Sequence, residues 1–140
     1  MHQIKSEGGC FCGEIRFAVD GKVLGAAACH CRDCQYICGG AAAYVIVVAK
    51  PSLVILKGKP LSYESFADSG AQRIRQFCRT CGTPLFAEDA SFPNVITIKV
   101  GSLDDSSFFS PDAELWTGSA PLWHATRPNV PTFAKGPVSG

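Results

Sequence analysis

Arg73-Ile74-Arg75-Gln76-Phe77-Cys78-Arg79-Thr80-Cys81-Gly82 alternates polar and apolar residues and then breaks into a Cys-x-x-Cys-Gly knuckle. The alternation has the period of a strand buried on one face. Cysteines this close bond each other only with strain, yet their sulfurs converge easily on an ion. The glycine tolerates the positive φ that turns backbone N–H groups towards sulfur. The stretch therefore reads as a strand that ends in half of a metal site.

Cys10-Phe11-Cys12-Gly13 supplies the other half, with the same Cys-Gly ending. Cys10, Cys12, Cys78 and Cys81 together offer four thiolates, a complete tetrahedral zinc site. An ion held there ties the first strand to the second half of the chain. Closing so long a loop removes much entropy from the unfolded chain, which suits a structural site. The bland alternative is that these are buried free thiols.

A third knuckle, Cys29-His30-Cys31-Arg32-Asp33-Cys34, places three thiolates within six residues. Structural zinc sites are closed by four protein ligands, whereas catalytic ones keep three and leave a position for water or substrate. Three thiolates on Zn²⁺ carry net charge −1 and leave a free corner where an external thiol binds as thiolate. Beside an electrophile, that arrangement makes or breaks carbon–sulfur bonds. The chain thus reads as a two-zinc protein, one ion structural and one open to chemistry at Cys29, Cys31 and Cys34. A fourth protein ligand would make the second site structural too. Cys38, four residues after Cys34, can close it or line its pocket as a small buried residue.

The histidines carry less information. His30 stands between two proposed ligands, so its ring points away from their metal, where it can shuttle a proton or bond a sulfur, or be only a partly exposed residue of the knuckle. His124 can reach the open corner from the far end of the chain, or be satisfied at the core edge. His2 has no evident role.

Seven of the eight cysteines lie in these knuckles, and nothing near the N-terminus reads as an apolar export signal. Cysteine pairs then argue for metal in a reducing cytoplasm rather than for a secreted disulfide scaffold. The 140 residues fit one domain, 1–140, with 46% hydrophobic residues, 18% charged and a formal net charge of +1. No basic stripe or acidic block points to nucleic acid or a membrane surface. The longest apolar run, Ala41 to Ala49, is about half the ~20 residues of a membrane-spanning helix.

Glycine and proline punctuate short runs of β-branched and aromatic residues, which predicts a mostly β domain. Glu14 to Val19 alternates as a strand, and Asp20-Gly21 reads as the turn after it, with Val23 to Ala28 returning. Ala41 to Val48 reads as a strand covered on both faces. Leu53 to Lys57 and Leu61 to Phe66 flank Gly58-Lys59-Pro60 as a hairpin. Val95 to Val100 reads as another strand, and Asp104 to Phe109 as a short helical turn capped by Ser102 or Asp104. No helical period persists, and each knuckle falls at a strand end.

Several of these segments match a known pattern in order. They are Gly9-Cys10-Phe11-Cys12-Gly13 with Ile15-Arg16-Phe17, Cys29 to Gln35, Gly39-Gly40-Ala41, Arg75 to Leu85, and Gly101-Ser102-Leu103-Asp104-Asp105. The set resembles the glutathione-dependent formaldehyde-activating enzyme family, whose fold is a zinc-stapled β structure of the Mss4-like type. The resemblance implies a structural zinc on Cys10, Cys12, Cys78 and Cys81 and a catalytic zinc on Cys29, Cys31 and Cys34. It implies a carbon–sulfur lyase that joins glutathione to formaldehyde, giving S-hydroxymethylglutathione, or reverses that addition. Its partners would be a small-molecule thiol and a small aldehyde. Glutathione carries two carboxylates, so cationic anchors are expected, with Arg32, Arg79 and Arg127 as candidates. Where Cys38 stands, the family more often has serine or another small residue. Two rivals come from other classes: a non-catalytic zinc-stapled binding module, and a thiol redox protein cycling Cys29, Cys31, Cys34 and Cys38.

Overall fold

Strands form where β-branched and aromatic residues alternate, and they stop at the glycines and cysteine knuckles between them. The computed structural model describes residues 2–136. In chain order these carry β1 (Gln3–Gly9), β2 (Arg16–Lys22), β3 (Gly25–Cys29), the short helix α1 (Arg32–Ile37), β4 (Ala43–Ala49) and β5 (Leu53–Lys57). There follow β6 (Leu61–Phe66), β7 (Gln72–Phe77), β8 (Pro84–Asp89), β9 (Val95–Lys99) and β10 (Ala113–Leu115). The fold is mostly β, as the punctuation predicts.

A small sheet has the order β1-β2-β5 and a large one the order β10-β3-β4-β9-β8-β7-β6. Every pairing is antiparallel except β10 with β3. Phe17 and Val19 of β2 meet Ile46 and Val48 of β4, Ile96 and Ile98 of β9, and Phe86 of β8 in one buried core. The Phe17 and Phe86 rings pack edge to face, with centroids 5.0 Å apart.

The large sheet's opposite face is built from small residues. One cross-strand row runs Arg75–Ala87–Thr97–Val47–Gly25, and the next runs Lys99–Val45–Ala27–Ala113. Short side chains along both rows leave a hollow in the sheet. At its end β3 delivers Cys29, which lies opposite Ala43. Thus β4 is covered by the core on one side and floors a cleft on the other.

Three local expectations are corrected. Asp20-Gly21 is no turn, because β2 continues to Lys22 and pairs Gly21 with Ile4. Glycine is needed there for space: a Cβ would lie 2.3 Å from Ser52 Oγ. The Leu53 and Leu61 strands form no hairpin, since β5 pairs with β2 and β6 with β7. Gly58 has φ +79° and packs on the Glu14 carbonyl, turning the chain from one sheet to the other. Asp104 to Phe109 is no helix. Asp104 binds Arg16 (Nη1 to Oδ1 2.9 Å), and Asp105 Oδ1 accepts from the Ser107 amide at 2.9 Å in an open turn.

Candidate metal centres

Four sulfurs of the first and last knuckles converge. Cys10 follows β1, Cys12 precedes β2, and Cys78 and Cys81 lie between β7 and β8. Their Sγ atoms lie within 4.8 Å of one another, with Cys10–Cys12 at 3.6 Å and Cys12–Cys78 at 3.7 Å. Sulfurs ~2.3 Å from one tetrahedral ion would stand ~3.8 Å apart, so the set could hold zinc. Amides already point at the sulfurs: Ile15 N–H at Cys10 (3.2 Å), Thr80 and Cys81 N–H at Cys78 (3.4 and 3.5 Å). Gly13 and Gly82 take the positive φ expected after each pair, +82° and +78°.

Thr83 joins the two halves. Its hydroxyl oxygen accepts from the Phe11 amide at 3.0 Å and lies 3.1 Å from Cys81 Sγ. That hydroxyl is the first cause of the lowered Cys81 pKa, about 5. At Cys12 the Glu14 amide favours the thiolate, but burial and the neighbouring sulfurs push the thiol up to about 12. Thr83→Ala removes both hydroxyl contacts. It is expected to cost about 1 kcal/mol, a fall of roughly 4 °C in the melting temperature of the zinc-replete protein, with Thr83→Ser close to wild type.

Cys29, Cys31 and Cys34 also converge within 4.8 Å, and among the described residues no fourth Cys, His, Asp or Glu atom joins them. Cys38 stands outside the set and lines a neighbouring pocket with Ala41, Ala42, Tyr44 and Lys99. Cys31 caps helix α1, its sulfur accepting from the Cys34 amide at 3.3 Å. Without an ion the three thiols share their protons. Bonds from Cys29 and then Cys34 concentrate negative charge on Cys31, far below its ordinary value. Cys29 is pushed up to about 11 by its bond to Cys31.

The three sulfurs open onto the hollow of the large sheet, a cleft of about 260 Å³. Ala27, Ala43, Val45, Val47, Ala87 and Thr97 floor it, Phe92 and Trp116 wall it, and Arg73, Arg75, Lys99, Glu88 and Asp89 supply its charge. The expected anchors fare differently. Arg32 donates to Gln35 Oε1 at 2.6 Å and stacks on Tyr36, beside a separate pocket of about 280 Å³ at Cys31. Arg79 is exposed beside the first cluster, and Arg127 serves Glu114. The cleft cations are instead Arg73, Arg75 and Lys99, which sequence reading missed. The signal was present: Arg73 and Arg75 share one strand face, and Lys99 ends an alternating strand.

His30 does point away from the cluster, and it is 1% exposed. Its Nε2 lies 2.7 Å from Glu114 Oε1, and its Nδ1 lies 2.8 Å from His124 Nδ1. His124 Nε2 in turn lies 2.7 Å from the Gly40 carbonyl, so this ring is satisfied at the core edge and away from the corner. Gly40 O and the Glu114 carboxylate can only accept, so both Nε2 atoms donate. The two rings thus link Glu114 to the Gly40 carbonyl in one buried hydrogen-bonded chain. Burial alone would raise the Glu114 carboxyl, but bonds from His30 and the Arg127 amide hold it below its ordinary range. Gln35, also buried, ties the knuckle down by donating to the carbonyls of His30 (2.8 Å) and Ser119 (3.1 Å).

No helix among the described residues is long and apolar enough to cross a membrane. No curated protein matches the chain. A crystal structure of a Rhodobacter sphaeroides protein superimposes with a TM-score of 0.57 at 23% identity, over 70% of this chain and 87% of that one, a likeness of fold. The model of the family described as glutathione-dependent formaldehyde-activating enzyme matches residues 5–119, which contain all seven clustered cysteines. A match over so much of the sequence decides the matter: the chain belongs to the glutathione-dependent formaldehyde-activating enzyme family.

Proposed function

We propose that this protein is a zinc-dependent carbon–sulfur lyase that adds a small-molecule thiol such as glutathione to a small aldehyde, formaldehyde by family likeness, or reverses that addition. Cys10, Cys12, Cys78 and Cys81 would hold a structural zinc, and Cys29, Cys31 and Cys34 a second one. The observation that carries the reading is the three-sulfur cluster, which has no fourth protein ligand among the described residues and faces a cleft lined by cations. Bound there, zinc supplies a Lewis-acidic position that keeps a thiol ionised at neutral pH.

The chain's own residues do the rest. The floor of Ala27, Ala43, Val45 and Val47 accepts the aliphatic part of the thiol, and Phe92 and Trp116 keep water from it. Arg75 offsets the negative charge that gathers as the sulfur ionises. In the addition, a sulfur lone pair forms the C–S bond at the carbonyl carbon. The carbonyl π pair moves to oxygen, which takes up the proton the thiol gave. Holding both reactants in one cleft makes the encounter effectively unimolecular. Cysteine usage also assigns the protein to a reducing cytoplasm, acting as one domain over 1–140.

Cobalt substitution tests the reading. Glutathione should add a thiolate-to-cobalt charge-transfer increment, S-methylglutathione should not, and Cys38→Ser should behave as wild type. Exchange spectroscopy of glutathione with formaldehyde should show turnover that Cys31→Ser lacks. A spectrum indifferent to glutathione, and losing one sulfur in Cys38→Ser, would establish the closed, non-catalytic module instead.

A further inference from the structure

Lys99 is the one cation of the cleft with no ion pair or side-chain hydrogen bond among the described residues. Arg73 is held by Asp89 at 2.8 Å. Arg75 donates to Ser65 Oγ at 3.0 Å and faces Asp33 at 3.7 Å. Of the acids, Asp89 is taken by Arg73, and Glu88 by Lys50 at 2.6 Å from outside the cleft. The lining therefore has three cations against two acids, and both acids are committed.

The position of Lys99 is also specific. It lies at the end of central strand β9, opposite Val45, on the same face as Thr97. It lines both the cleft of Cys29, Cys31 and Cys34 and the adjoining pocket of about 320 Å³ that contains Cys38. It is half-buried among Ala43, Val45 and Ala42. An ammonium placed on an apolar floor without a partner costs desolvation energy. A carboxylate arriving with a ligand recovers that cost, and the neutral analogue of the same ligand cannot.

Resting on the thiol reading above, we infer that Lys99 binds a carboxylate of the thiol substrate, so that the cleft selects acidic thiols over neutral ones. The sulfur lies at Cys29, Cys31 and Cys34, the aliphatic stem crosses Val45 and Ala43, and the carboxylate meets Lys99 where the two pockets join. Arg75, already bonded, sets the local potential but does not anchor.

Calorimetry on the zinc-loaded protein tests this without turnover, using glutathione, glutathione diethyl ester, N-acetylcysteamine and S-methylglutathione. Wild type should bind glutathione about tenfold more tightly than the diester. Lys99→Met should erase that preference and leave the diester and N-acetylcysteamine unchanged, and Lys99→Arg should restore most of it. Equal binding of glutathione and diester by wild type would overturn the anchor and leave the thiol reading intact. So would equal losses for thiols with and without a carboxylate in Lys99→Met, which would make Lys99 only a counter-charge to the cluster. If neither carboxylate-free thiol binds, the thiol reading fails. The anchor then stands only if S-methylglutathione binds wild type and loses about tenfold in Lys99→Met, and it falls if that ligand shows no such dependence.

Discussion

Cys81→Ser is expected to yield unfolded or insoluble protein, whereas Cys31→Ser should fold, carry one zinc instead of two, and lose thiol–aldehyde exchange. The asymmetry comes from where each cluster sits in the chain. Cys10 and Cys12 stand between β1 and β2 of the small sheet, and Cys78 and Cys81 between β7 and β8 of the large one. An ion on those four sulfurs joins the two sheets at their edge. Structural zinc contributes about 10–16 kcal/mol to folded peptides, against about 5–15 kcal/mol for the whole stability of an ordinary domain. Losing most of the first exhausts the second. Cys29 ends β3, Cys31 caps α1 and Cys34 lies in its first turn, so their ion closes no long loop. Serine also keeps the helix cap that Cys31 provides, and is among the better N-cap residues. Thermal unfolding and elemental zinc on protein kept from chelators decide the matter. A well-folded Cys81→Ser with an unchanged melting temperature would remove the structural site from the account.

The cysteine clusters are legible because their spacing is local: each knuckle is a sequence motif, and matching Cys-Gly endings pair the two halves of the first cluster. Strands such as β7 were legible for a similar reason, since alternation records which face is buried. What sequence could not give was partnership between distant elements. Leu53–Lys57 and Leu61–Phe66 look like a hairpin because Gly58 and Pro60 lie between them, yet Gly58 serves to cross from one sheet to the other. β1 was unread, for its buried positions Ile4 and Gly8 are too few to make a pattern. The cleft was equally hidden. Its depth comes from small residues on neighbouring strands, such as Ala27, Val45 and Ala87, which are unremarkable singly and become a hollow only through register. Lys99 acquires meaning the same way, by facing that hollow with no partner.

Glu114→Ala is expected to destabilise the protein by about 3–5 kcal/mol, the usual cost of breaking a buried pair from one side, or roughly 10–20 °C in melting temperature. Glu114 has no exposure to solvent, and its carboxylate serves two partners. Oε1 accepts from His30, and Oε2 accepts from the Arg127 amide at 3.3 Å and guanidinium at 3.4 Å. Removing it leaves the buried His30 ring nitrogen and the Arg127 amide without the partner they share. The damage should be directional. Glu114 is central to β10, the edge strand that pairs with β3 beside Cys29, so the segment from Ala113 to Arg127 should lose amide-exchange protection first. Glu114→Gln should cost less, because its amide oxygen still accepts from His30. The sign of the pH effect follows from the lowered Glu114 pKa. Its contribution is full above the unfolded carboxyl value, flat through neutral pH, and lost as pH falls through the folded value. The first knuckle should stay metallated in both variants, since no member of the buried chain touches Cys10, Cys12, Cys78 or Cys81. If Glu114→Ala instead matched wild type in melting temperature and in exchange at 113–127, the buried hydrogen-bonded chain would not be what fastens the C-terminal segment beside the second cluster.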